Sequence, residues 1–117
     1  MYGDKLLDYF RNPRCAGELD APARTVRVEN PACGDVLQLS LRLEDGIIRE
    51  ARFKAQGCPP TIACGSALAE WLQGRACEEA RSLDPEGLER ILGGLPPASR
   101  HAAVLAVEAL RKLMRDA

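Results

Sequence analysis

Apolar and polar residues alternate through the middle of the chain. In residues 37–43, four leucines take every second position and polar residues fill the positions between them. This two-residue period is typical of a β-strand that buries one face. Residues 51–55 repeat the period, and the pair Asp45-Gly46 between the two runs favours a tight hairpin turn. With a shorter strand candidate at residues 25–28, the pattern predicts an antiparallel meander.

On either side of the strands, apolar residues recur at helical spacing, and turn-forming residues mark where each helix begins and ends. The predicted helices are residues 4–10 before Asn12-Pro13, a helix from Pro59-Pro60 to Gly74, a helix capped by Asp84-Pro85 and stopped by Gly93-Gly94, and a last helix capped by Ser99. Trp71 shares the apolar stripe of the second helix. We expect it to fill the core and not to stack on another group.

Length and charge narrow the class of protein. A chain of 117 residues is one domain's length, so residues 1–117 are predicted to form a single domain. Its first residues mix charged with apolar side chains, and no apolar run is long enough for a signal peptide or a membrane span. We therefore expect a cytoplasmic protein without a membrane partner. A net charge of -1 leaves no basic stripe that would track phosphates, so nucleic acid is not expected either.

Cysteine and its neighbours supply the candidate chemistry. Five cysteines, an odd number, argue against a disulfide framework in a reducing compartment and favour thiols that are buried, reactive or metal-bound. Cys33 lies in the loop before a predicted strand, with Asp35 two residues on, Cys58 lies between a strand and a helix, and His101 lies in the first turn of the last helix. Such element ends are where a rigid scaffold presents ligands. Mixed sulfur, oxygen and nitrogen ligation suits zinc or iron better than magnesium or calcium.

The spacing by itself leaves a plainer interpretation open. There is no CxxC pair, and Cys33 and Cys58 are far apart in the sequence. Both are equally consistent with small buried hydrophobic residues, and His101 with an ordinary surface or capping residue. Asp35 sits in a glycine-flanked turn, where aspartate often accepts hydrogen bonds from nearby backbone N–H groups.

A family resemblance weighs against that plainer interpretation. It is carried by four stretches that run almost from end to end of the chain: NPRCAG, PACGDV, GIIREARFKAQGC and LPPASRHAAVLAVEAL. Together they resemble the U-type iron-sulfur cluster scaffold family, which comprises IscU and the N-terminal domain of NifU. The resemblance implies an α+β fold, with a small three-stranded antiparallel sheet packed against helices. It also implies a scaffold, not an enzyme, that assembles a transient 2Fe-2S cluster with sulfur from a cysteine desulfurase and passes it to acceptor proteins.

The same resemblance implies which residues hold the cluster. They are Cys33, Asp35, Cys58 and His101, with iron or zinc as the metal. The family pattern has a cysteine directly after the histidine, implicated in accepting persulfide sulfur and in ligating the cluster, but Ala102 stands there in this chain. The third thiolate is therefore missing.

A second departure concerns a partner. The chain has LPPAS where similar scaffolds have Leu-Pro-Pro-Val-Lys, the segment that a dedicated Hsp70-type chaperone recognises. The resemblance therefore leaves that chaperone a doubtful partner.

The remaining three cysteines are predicted to lie outside the site. Cys64 is six residues beyond Cys58, which places the two side chains about 120° apart around an ideal helix. Its place on the apolar stripe favours core packing, with a role as substitute ligand or sulfur acceptor as the alternative. Cys77 is expected to be structural, and Cys15 to be a solvent-facing or locally packed loop thiol.

Two further functions stay open because of Ala102. One is a zinc- or iron-binding member of the family that has lost cluster assembly and acts as an adaptor or regulator of a cysteine desulfurase. The other is a sulfur carrier that uses Cys58 or Cys33 to take persulfide to a different acceptor.

Overall fold

The fold is a three-stranded antiparallel sheet packed against helices, as predicted. A computed structural model describes residues 2–32 and 34–115. Its elements are α1 (Asp4–Arg11), β1 (Arg24–Asn30), β2 (Asp35–Glu44), β3 (Ile47–Gln56), α2 (Pro59–Leu72), α3 (Cys77–Arg81), α4 (Pro85–Ile91) and α5 (Arg100–Arg115), with a 3₁₀ turn (Pro97–Ser99) before α5. None of the helices in these two ranges is long and apolar enough to cross a membrane.

The sheet follows the alternation of its sequence. The strand order is β1-β2-β3, and Leu39 in the central strand lies opposite Val26 on one side and Phe53 on the other. Asp45 and Gly46 join β2 to β3 with positive φ values of 54° and 75°, which is the backbone of a type I′ hairpin turn. The predicted antiparallel meander and its turn are therefore confirmed.

Helix α2 lies close against the buried face of the sheet. A Cβ at Gly65 would come within 2.5 Å of the Phe53 ring and 2.9 Å of a Leu37 methyl. No side chain fits there, so the helix axis can approach the strands closely. Helix α5 packs beside it against β1 and β2. The N-terminal ends of these two helices lie at the end of the sheet where β2 begins and β3 ends.

The NPR stretch ties the N-terminal helix to α2. The Arg14 guanidinium lies 4.5 Å from the centre of the Tyr9 ring, and the Arg14 backbone N–H donates to Ser66 Oγ at 2.8 Å. Tyr9 donates to Glu70 at 2.7 Å, and burial together with this acidic neighbour raises the pKa of Tyr9 to about 12. Arg14 of this stretch thus contacts both α1 and α2.

The predicted helix boundaries are partly right. Asp84 caps α4 as predicted and accepts a hydrogen bond from the Gly87 N–H at 2.7 Å. The last helix begins at Arg100, directly after Ser99 as predicted, and Ser99 is also the last residue of the preceding 3₁₀ turn. Helix α3 was not predicted at all, because five residues are too few to display a helical period.

The expectation for Trp71 is wrong in part. The ring packs against the core but is only partly buried. The Arg75 guanidinium lies 4.1 Å from the ring centre and donates to the Trp71 carbonyl at 2.7 Å. The indole thus stacks on a cation at the C-terminal end of α2, where the helix leaves the core.

Candidate metal centre

Three of the four predicted ligands meet at one end of the sheet. Asp35 is the first residue of β2, Cys58 occupies the N-cap position of α2, and His101 is the second residue of α5. A carboxylate oxygen, the thiol sulfur and a ring nitrogen of these residues all lie within 4.8 Å of one another. Cys33 lies outside the described residues, so its part in the site stays a prediction.

The Asp35 carboxylate is the centre of the group. Asp35 is only 3% exposed, and a buried carboxylate needs hydrogen-bond donors around it. Its Oδ2 atom lies 2.9 Å from Thr61 Oγ1, 3.2 Å from His101 Nε2 and 3.8 Å from Cys58 Sγ. Side chains of both α2 and α5 thus contact the Asp35 Oδ2 atom.

Gly57 makes room for the other carboxylate oxygen. It has a φ of +149°, and a Cβ there would lie 2.2 Å from Asp35 Oδ1. That distance is far below van der Waals contact, so only glycine fits between the end of β3 and the carboxylate. The register that pairs Val36 with Gln56 brings Asp35 beside Gly57.

The orientation of His101 is set by the 3₁₀ turn. Its Nδ1 atom lies 3.1 Å from the Ala98 carbonyl oxygen. Because a carbonyl can only accept, Nδ1 donates in this contact, and Nε2 is the ring nitrogen that faces Asp35, where it can bind a metal only when it carries no proton of its own. A backbone carbonyl that fixes the ring in this way is a common partner of metal-binding histidines.

The other described cysteines lie away from the group. Cys64 is fully buried, and this burial raises the pKa of the Cys64 thiol, with nearby Cys58 and Glu89 adding to the effect. Cys77 is buried in the core. Cys15 is half-buried, its carbonyl accepts from the Phe53 N–H at 2.9 Å, and burial raises the pKa of its thiol. Cys15 is thus a locally packed thiol, and no disulfide joins the four cysteines within residues 2–32 and 34–115.

Ala102 presents no ligand atom where the family pattern has a thiolate. The residue is 1% exposed and belongs to the hydrophobic core. The donors that the described part of the chain brings together are therefore one thiol, one carboxylate and one imidazole.

Thr61 is a site residue that the sequence analysis missed. It is 1% exposed, and its hydroxyl also lies 3.3 Å from Cys58 Sγ. The available signal was its spacing, since residues three apart on a helix share a face and Thr61 lies three residues after Cys58. Apart from this spacing, a single threonine in an apolar helix is expected only to pack in the hydrophobic core.

The donor set fits a transition metal. Zinc and iron accept thiolate, imidazole and carboxylate together, whereas magnesium and calcium prefer oxygen alone. Cys58 and His101 are partly exposed while Asp35 is buried. An ion or cluster can therefore reach the sulfur and nitrogen from solvent and meet the carboxylate behind them.

Comparison with known proteins agrees with this fold and donor set. Residues 1–116 match the NifU-like N-terminal domain. The chain is 42% identical to the iron-sulfur cluster assembly scaffold protein IscU of Azotobacter vinelandii, over 98% of this chain and 92% of that protein. It is 37% identical to the IscU scaffold protein of Escherichia coli K12, with the same coverage.

A solved structure extends the likeness to the fold. It is described as an iron-sulfur cluster assembly scaffold protein for the SUF system of Fervidobacterium islandicum AW-1, and it matches with a TM-score of 0.79 at 17% identity, over 97% of this chain and 96% of that one. From the match to residues 1–116 and the identity to the two IscU proteins, the chain belongs to the NifU-like N-terminal domain family. The family resemblance drawn from the sequence is thus confirmed.

Proposed function

We propose that this protein is an iron-sulfur cluster assembly scaffold, which binds a transient 2Fe-2S cluster as its cargo and transfers it to acceptor proteins. One observation supports this most: Asp35, Cys58 and His101 converge within 4.8 Å in a chain whose curated relatives are named cluster assembly scaffolds. Cys33 completes the proposed ligand set. Holding and handing over a cluster requires no catalytic residue, so the protein is proposed to be a carrier and not an enzyme.

The chemistry of the ligands suits temporary binding. Cys58 offers soft sulfur, which iron in a cluster prefers, and Asp35 offers a hard oxygen that binds cluster iron less strongly. A set of four thiolates would hold the cluster as a resident group. The mixed set supports release to another protein instead.

The proposed partners follow from the cargo. Sulfur must be supplied, for which a cysteine desulfurase is the proposed donor, and the finished cluster needs acceptor proteins. An Hsp70-type chaperone remains doubtful because Ala98-Ser99 replaces Val-Lys in the similar scaffolds. We place this exchange in the cytoplasm, without a nucleic-acid or membrane partner.

Anaerobic reconstitution tests the proposed function. Protein incubated with ferrous iron, cysteine, a cysteine desulfurase and a thiol reductant, which reduces the persulfide sulfur to sulfide, should acquire iron and inorganic sulfide in equal amounts, with visible absorbance, and should lose both to an apo-ferredoxin. Stoichiometric zinc or iron without sulfide would instead identify the adaptor or regulator of a desulfurase. Persulfide on Cys58 or Cys33 without bound metal, in a reaction without reductant, would identify the sulfur carrier.

The missing thiolate gives a prediction at Ala102. We expect Ala102→Cys to raise the yield or lifetime of the reconstituted cluster and to increase persulfide acceptance. The new thiol would follow His101 in the first turn of α5, where the positive end of the helix dipole favours a thiolate and opposes the effect of burial at this position. Sulfide-to-iron ratio, visible absorbance and transferred sulfur measure the gain.

A neighbouring substitution controls for the added thiol. Ala103 is also fully buried in α5 but lies about 100° further around the helix. Ala103→Cys should therefore leave cluster yield unchanged. Equal behaviour of wild type and a folded Ala102→Cys, or the same gain from Ala103→Cys, would show that position 102 does not face the site.

A further inference from the structure

We propose that Thr61 is a positioning residue of the metal centre. Its hydroxyl holds the Asp35 carboxylate in the orientation in which the carboxylate, Cys58 and His101 converge, and it thereby slows the loss of a bound metal. This inference deepens the proposed function and rests on it, because it takes the centre to hold metal.

The contacts of the hydroxyl carry the inference. Thr61 Oγ1 donates to Asp35 Oδ2 at 2.9 Å and lies 3.3 Å from Cys58 Sγ. A hydroxyl has one proton, and a carboxylate can only accept, so this proton is used on Asp35 and a lone pair faces the sulfur. Thr61 thus touches two of the three donors at once without competing for the metal, since the alcohol is a far weaker ligand than thiolate or carboxylate.

The carboxylate is held from two sides. Gly57 packs against Oδ1 so closely that a Cβ would come within 2.2 Å of it, and Thr61 bonds Oδ2. Between backbone on one side and hydroxyl on the other, the carboxylate has one orientation. Removal of the Thr61 hydroxyl lets the Asp35 carboxylate rotate, while the packing of Gly57 against Oδ1 remains.

Two other buried hydroxyls, those of Ser66 and Ser40, have other partners. Ser66, also on α2, accepts from the Arg14 backbone N–H at 2.8 Å, and Ser40 pairs with Thr25 at 2.9 Å across the sheet. An unbonded hydroxyl at a buried position is costly, so each needs a partner. Thr61 differs from them because its partner is a proposed metal ligand.

The experiment measures how fast zinc leaves the protein. Zn²⁺-loaded wild type, Thr61→Val and Thr61→Ser are mixed with excess chromogenic chelator, and the rate of zinc transfer is followed by absorbance. Thr61→Val keeps the shape of the side chain and removes the hydroxyl. We expect zinc to leave this variant about 10-fold faster, which is the lower end of the range for substitution of a residue that orients a metal ligand. Thr61→Ser keeps the hydroxyl and should lose zinc at close to the wild-type rate. Thr25→Val, which removes an exposed hydroxyl bonded to Ser40 and far from the group in sequence, is the control and should leave the rate unchanged.

A second background separates positioning from a general loss of stability. In Asp35→Ala, Thr61 has no carboxylate to orient, so adding Thr61→Val should not change the rate of zinc loss. The same acceleration in both backgrounds, or equal rates for wild type and Thr61→Val, would overturn the inference.

Thr61→Ala replaces Thr61→Val if circular dichroism shows that the valine variant does not fold. Wild type that retains neither zinc nor iron would overturn the metal centre itself, whereas a null effect of Thr61→Val on a zinc-retaining protein would overturn the role of Thr61 alone.

Discussion

Cys58→Ser is expected to abolish the retention of iron and zinc and the formation of a stable cluster. Cys58 supplies the described sulfur donor of the group and lies within 4.8 Å of the other donor atoms. A serine hydroxyl at the same position remains protonated near neutral pH and is a poor ligand for zinc or cluster iron. Metal content after gel filtration and visible absorbance after reconstitution measure the loss.

Two cysteines in the core provide the controls. Cys64→Ser and Cys77→Ser change fully or largely buried thiols that lie outside the group, and variants that fold by circular dichroism should retain metal like wild type. Cys33→Ser, at a position predicted from the sequence alone, should lose metal as Cys58→Ser does. Unchanged metal content in Cys58→Ser would refute the centre, and loss in a folded Cys64→Ser would make Cys64 the substitute ligand.

The sheet was predictable because its signals are local. The leucines of β2 alternate without interruption, and Asp45-Gly46 can adopt positive φ values that few other pairs accept. The N-cap of α4 was predictable for the same reason, since Asp84 caps its own helix. Trp71 was misjudged because its stacking partner Arg75 is a polar residue beyond the helix, which an apolar stripe does not reveal.

The sequence predicted which residues belong to the candidate site, but not that they lie together in space. The positions of Asp35, Cys58 and His101 at element ends, together with the family resemblance, indicated which residues to consider. Their convergence depends on the register shift between Arg42 and Leu43, which brings Asp35 beside Gly57, and on how α5 lies against the sheet, and the sequence pattern contains neither. Thr61 was missed because its function comes from a contact with Asp35, 26 residues away along the chain.

Gly57→Ala is expected to disrupt the centre at least as much as the loss of the Thr61 hydroxyl and to destabilise the fold as well. The methyl group would lie 2.2 Å from Asp35 Oδ1 and 2.8 Å from its Cγ. The carboxylate cannot turn away without breaking its contacts with Thr61 and His101. We therefore expect metal loss to a chelator to accelerate by a factor of about 10 or more, as for other changes that misorient a ligand, and the free energy of unfolding to fall by about 1–3 kcal/mol from the strained φ alone.

A glycine elsewhere separates these two effects. Gly74 also has a positive φ, of +84°, but nothing lies within 4 Å of where its Cβ would be. Gly74→Ala should therefore lower the free energy of unfolding through backbone strain and leave zinc retention unchanged. If Gly57→Ala retains zinc as well as Gly74→Ala does, the carboxylate is not confined by the end of β3.

The clash between an alanine at position 57 and the Asp35 carboxylate can also be relieved by removing the carboxylate. Asp35→Ala removes the two atoms nearest to the new methyl group, so the double variant Gly57→Ala/Asp35→Ala should be less destabilised than the sum of the two single variants. Urea unfolding of the four proteins measures this coupling. Additive losses would place the cost of Gly57→Ala in the backbone alone, whereas a smaller combined loss is what direct contact between residue 57 and the carboxylate requires.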